Sequence, residues 1–178
     1  MAHNAYKALS RVFSVVLPAA GAGLIAGGRF AHQYVADQLA GQRITMPGGK
    51  DLPTEEMKSA LARYSGLPMT TGPQAEAYAN HYIGAHLAAA AKGRTYEEIS
   101  QEYMAASADP DRKDTQEAAD LGQLKEMLFT GSSLRGMLLN AYGWWTVGSI
   151  ATWAGVGATG LGAVLAVPGW ARRRGHRA

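Results

Sequence analysis

The chain has 178 residues, of which 17% are charged against a globular norm of about 25%, and a net charge of +3 with a pI near 9.2. It has no cysteine, which excludes disulfides, thiolate catalysis, iron–sulfur clusters and lipid attachment through cysteine. Every acid lies between Asp37 and Glu126, while the outer bases Lys7, Arg11, Arg29, Arg172, Arg173, Arg174 and Arg177 sit at the ends of apolar runs, a placement that fits membrane orientation and excludes nucleic acid as the partner.

Residues 1–11 form a basic N-terminus. The apolar run that follows predicts a first transmembrane helix over residues 12–29. With Ala8 and Leu9 it approaches the roughly 20 residues a span needs. A cleaved signal peptide is the rival reading, since residues 19–23 are Ala and Gly; the segment is taken as a retained anchor. Phe30, Tyr34, Val35 and Leu39 extend the helix as one amphipathic face until Pro47-Gly48-Gly49 breaks it.

Residues 30–141 read as a small helical domain outside the cytoplasm, with no strand-like alternation. Thr54 caps a short helix with Met57, Leu61 and Tyr64 on one face. A loop runs from Ser65 to Pro73. The spacing predicts a helix from Gln74 to Ala91 with Tyr78, Tyr82, Ile83, His86, Leu87 and Ala90 inward and Gly93 ending it. Thr95 and Glu98 form a capping box for a helix carrying Ile99 and Tyr103. After a turn at Asp109-Pro110-Asp111, Asp114 and Glu117 cap a helix with Ala118, Leu121, Leu124 and Leu128 inward. Gly131-Ser132-Ser133 is expected to separate it from a final helix beginning at Ser133.

The uncharged run from Gly136 to Ala171 would measure about 54 Å as one helix, too long for a hydrocarbon core of about 30 Å and too short for two spans and a turn. One second span is predicted, about Val147 to Val167 within a transmembrane segment over 142–170, with Pro168 ending it. Tyr142, Trp144 and Trp145 form its outer aromatic belt, and Trp170 with Arg172, Arg173 and Arg174 marks the inner interface before a basic tail over 171–178. Arg11 and Arg135 are further interface anchors, Arg135 being placed to snorkel or to bind lipid headgroups or a partner's acid. Basic residues at both ends put both termini in the cytoplasm of a bacterial plasma membrane.

Small residues recur every fourth position: Ala19, Gly23 and Gly27 in the first span, and Ala151, Gly155, Thr159 and Ala163 beside Gly148, Thr152 and Gly160 in the second. Such faces admit close helix packing, between the two spans and onto other integral membrane subunits. No catalytic grouping emerges. Glu76, His81 and His86 are five apart, about 140° per step on a helix, so they point to different sides. Ser132-Ser133 lacks a nucleophile elbow, and no phosphate or dinucleotide fingerprint is present. No metal, cofactor or catalytic residue is therefore assigned.

The segments Tyr34 to Leu39, Ile44-Thr45, Ala77 to Leu87, Gly93 to Glu98, Leu128 to Gly131 and Leu134 to Gly143 occur in an order that resembles a family of uncharacterised actinobacterial two-pass membrane proteins, over residues 11 to about 165. Some members carry the label "aromatic ring-opening dioxygenase". The resemblance implies a topology and a bacterial lineage; it brings no catalytic residues. The reading is an all-α chain of two transmembrane helices with a small extracytoplasmic helical bundle between them. It is expected to act as a non-catalytic accessory subunit of a larger plasma-membrane complex, with a respiratory-chain assembly as the host. The alternatives are a stand-alone binding module for lipid, cell-wall or small-molecule ligand, favoured by a deep pocket lined by Tyr78, Tyr82 and His86, and last a membrane-anchored enzyme.

Overall fold

The computed structural model describes residues 2–49 and 52–170. The described residues form helices joined by loops, with no strand beyond a single antiparallel bridge between Thr45 and Pro68. Six α-helices follow in order: α1 (Ala2–Gly41), α2 (Glu55–Leu61), α3 (Gly72–Ala77), α4 (Gly84–Ala90), α5 (Tyr96–Ala108) and α6 (Gln116–Trp170). Two of them, α1 and α6, are long and apolar enough to cross a membrane. The chain packs as two units, Met1–Tyr34 with Trp144–Ala178, and Val35–Gly143. Both boundaries fall inside the long helices.

In the unit Val35–Gly143, local caps set the helix starts. Thr54 accepts from the Met57 amide at 3.1 Å, and α2 buries Met57 and Leu61. Thr71 and Gln74 form a capping box that starts α3 two residues before the expected Gln74. Gln74 is buried, but its amide oxygen accepts from the Thr70 and Thr71 backbone at 2.9 and 3.0 Å and its nitrogen donates to the Pro68 carbonyl at 3.2 Å. A buried amide so satisfied carries no desolvation penalty. The expected box of Thr95 and Glu98 starts α5. Ile99 and Ala106 of α5 then close a core with Ala91, Ala118, Leu121 and Leu128.

Four expectations are corrected. First, α1 ends at Gly41, before Pro47: Arg43 takes a left-handed conformation (φ 52°), and its amide donates back to the Ala40 carbonyl at 3.0 Å. Of the residues expected to form one amphipathic face, Val35 and Leu39 are buried while Phe30 and Tyr34 are exposed. Second, between α3 and α4 the residues Tyr78–Ile83 form a π-helical turn, with the Gly84 amide reaching the Ala79 carbonyl. The wider turn shifts the inward face. Ala75, Ala77 and Ala79 are buried, whereas His86 and Ala90, expected inward, are exposed. Third, Thr115 rather than Asp114 caps α6, its hydroxyl accepting from Ala118.

Fourth, α6 runs without a break through Gly131-Ser132-Ser133. A methyl on Gly131 would come 2.6 Å from the Leu87 side chain, so this glycine marks close packing and not a stop. Glycine costs a helix interior about 1 kcal/mol, which the buried Leu128 and Leu138 on either side offset several times over. The helical backbone also continues past Pro168 to Trp170.

Candidate functional site

In the unit that joins the two apolar stretches, α1 and α6 run antiparallel. Gly21 lies against Gly155 and Thr159, Gly28 against Gly148 and Thr152, and Pro18 against Gly162. A methyl on Gly155 would come 2.5 Å from the Gly21 carbonyl oxygen, and one on Gly148 would come 2.9 Å from that of Gly28. Backbone meets backbone at both places. The contact glycines repeat every seven residues: Gly21 and Gly28 on one helix, Gly148, Gly155 and Gly162 on the other. A four-residue step turns a helix by about 400° and so leaves an interface by 40° each time, whereas a seven-residue step drifts only about 20°. A heptad is therefore the period that two long helices can share. Thr152 and Thr159 donate to the carbonyls of Gly148 and Gly155 at 2.9 Å. Their hydroxyls are thus satisfied within the helix, and their methyl groups are left to pack.

The seam holds one polar group that spacing arguments missed, His32. Its Nε2 lies 3.0 Å from both the Trp145 carbonyl oxygen and the Ser149 hydroxyl, 113 and 117 residues away in sequence. With a proton on Nε2 the ring donates to the carbonyl, and Ser149 donates to the same oxygen at 3.0 Å. The imidazole also stacks on the Trp145 ring, centroids 4.2 Å apart. The signal that would have found it is the heptad, since His32 stands at the next seam position after Ile25 and Gly28.

On one flank of this seam opens an apolar groove of about 400 Å³, floored by Gly27, Gly28, Gly148 and Ala151 and walled by Phe30, Tyr34, Trp144 and Val147. The outward faces of both helices are apolar as well: Leu9, Val12, Val15, Ile150, Trp153, Leu161 and Val164 are all more than half exposed. Gly21, Gly28, Gly148, Gly155, Thr152, Thr159 and His32 face inward with Ile25 and Trp145, while most of the large apolar side chains face outward. A water-soluble helix pair has the reverse arrangement.

The residues expected to mediate helix packing divide. Gly148, Thr152, Gly155 and Thr159 lie on the seam. Ala151 lines the groove. Gly23, Gly27 and Gly160 have nothing within 4 Å of where a side chain would stand, and Ala19 and Ala163 are exposed. Among the expected anchors, Arg11, Tyr142 and Trp144 are exposed, while Trp145 turns inward onto His32. The side chain of Trp170 and the residues Arg172, Arg173 and Arg174 lie outside the described residues.

Arg135 belongs to the unit Val35–Gly143. Its Nη2 donates to the Asn80 amide oxygen at 2.9 Å, and the Asn80 nitrogen donates to Glu76 at 2.7 Å. The guanidinium lies beside Gly84, where a methyl would make only ordinary contact, 3.5 Å from Arg135 Nε. The π-helical turn thus places Asn80 between an acid and a base. On the same turn Tyr78 and Tyr82 stack with centroids 4.9 Å apart, and the exposed His86 of α4 lies tilted against Tyr82 at 4.5 Å; no pocket found among the described residues is lined by these three side chains. Burial, and then the neighbouring Tyr82, push the Tyr78 phenol up from its ordinary value. Hydrogen bonds from the Thr95 backbone and hydroxyl hold Glu98 below the usual carboxylate range.

No protein-family model, curated protein or solved structure matches this chain.

Proposed function

We propose that the chain is a two-pass bacterial plasma-membrane protein with both termini cytoplasmic and residues 35–143 extracytoplasmic, and that it serves as a non-catalytic accessory subunit of a larger membrane complex. The outward apolar faces of α1 and α6 support the membrane placement. In water, leaving a Val, Leu or Ile side chain uncovered forgoes about 1.5–3 kcal/mol each, and continuous patches of this kind mark a membrane or a partner. The antiparallel seam supports two passes, because it brings the N-terminal and C-terminal ends of the pair to the same side. Lys7 and Arg11 assign that side to the cytoplasm.

One observation carries the subunit reading. The stripe Ala19, Gly23 and Gly27 has open space where the internal pair leaves it uncovered. Lipid tails gain nothing from glycine, while another helix backbone gains close approach there. Purification from native membranes in mild detergent tests this: stoichiometric membrane partners are expected by mass spectrometry, and are expected to be lost in Gly23→Leu/Gly27→Leu. A chain that always purifies alone defeats the subunit reading. The identity of the partners tests the further proposal of a respiratory-chain host.

A further inference from the structure

We propose that the flank of the helix pair carrying Arg29, His32 and Ser149 binds the phosphate of one anionic membrane lipid. The inference rests on the two-pass reading above. At about 100° per residue, Arg29 stands about 100° and His32 about 40° from the seam position Gly28, on one rotational side. Ser149 stands about 100° and Trp145 about 60° from Gly148 on the matching side. The contacts of His32 Nε2 with Trp145 and Ser149 close that flank. The apolar groove, with Tyr34 and Val147, lies on the opposite one. The pair is therefore two-faced at this level, polar on one flank and apolar on the other.

Charge argues for the occupant. Arg29 is the one charged residue between Arg11 and Asp37. It is exposed and makes no ion pair among the described residues. Uncompensated charge at the edge of hydrocarbon is costly, so such residues recruit a counter-charge or water. With Gly28 against Gly148 and Thr152, Arg29 stands about one turn inside Trp145, within snorkelling reach of the headgroup depth that such an aromatic ring marks. One guanidinium matches one phosphodiester, which it holds through paired N–H donors. His32 uses Nε2 on the seam and its ring is fixed on Trp145. Nδ1 is thereby held in place to take a headgroup hydroxyl or amine.

The full chain in phosphatidylcholine nanodiscs doped with phosphatidylglycerol provides the test, read by native mass spectrometry of the released protein. One phosphatidylglycerol is expected to stay bound. Retention should fall about tenfold or more in Arg29→Gln, the loss expected for a charge-assisted pair, and partly in Arg29→Lys, which keeps the charge but not the paired donors. Arg11→Gln, at the other end of the helix, should retain lipid as the wild type does, and millimolar glycerol phosphate should not displace it. Unchanged retention in Arg29→Gln with wild-type helicity overturns the proposal. So does equal retention of phosphatidylcholine. Displacement by glycerol phosphate would assign the site to a soluble anion, and loss of a protein partner with lipid retained would assign it to a partner's acid; either result also overturns it. Vesicle flotation is scored separately, since a chain that fails to float defeats the two-pass reading whatever Arg29 does.

Discussion

At the scale of single residues, identical glycines have opposite meanings. Gly155 has the Gly21 carbonyl against it, while Gly23, two residues from Gly21, has empty space. Gly155→Leu must push the helices apart and is expected to destabilise the pair by at least the 1–3 kcal/mol typical of overpacking. Gly23→Leu should leave the isolated protein's stability within about 0.5 kcal/mol. Thermal denaturation in detergent checks both, and comparable losses would contradict the seam. Glu98 offers a pH test. Its folded-state pKa is lowered by Thr95, so its contribution is present above the ordinary carboxylate range and is lost as pH falls through the lowered value. Amide exchange in the first turn of α5 should therefore differ between wild type and Glu98→Ala at neutral pH and converge in acid. A difference that persists at low pH would contradict the capping box. Thr95→Ala should cost about 1 kcal/mol at neutral pH.

At the scale of elements, what was legible in the sequence follows from how local each signal is. Thr54, Thr71 with Gln74, and Thr95 with Glu98 cap helices within three residues of themselves; the first and third are legible directly, and the second is obscured by Pro73, a residue common both in loops and in the first turn of a helix. The glycines were not legible, since Gly131 breaks a helix in isolation and is occupied by Leu87 only after folding. The same ambiguity hid the heptad of Gly21 and Gly28 behind the more familiar four-residue stripe, and with it His32. The π-helical turn was missed because a single widened turn leaves no periodic trace. Two substitutions test the unbroken α6. Gly131→Ile must displace Leu87 and is expected to destabilise by about 1–3 kcal/mol. Gly136→Ala, with nothing within 4 Å, should stabilise by about 0.5–1 kcal/mol through helix propensity. A break at Gly131 would instead make both nearly silent.

At the scale of the whole molecule, the two apolar helices turn glycines, Thr152, Thr159 and His32 toward each other at the seam and most of their large apolar side chains away. That arrangement is stable where the surroundings are hydrocarbon and unstable where they are water. The polar middle section has its own core around Ile99 and Leu121 and is held without disulfides. The native chain contains no cysteine, so single cysteines report location without background. In intact cells, Ala105→Cys in α5 should react with a membrane-impermeant maleimide, while Lys7→Cys and Arg177→Cys should react only after the membrane is opened. Labelling of Lys7→Cys and Arg177→Cys on opposite sides, or of all three positions with no membrane fraction at all, would contradict the two-pass arrangement.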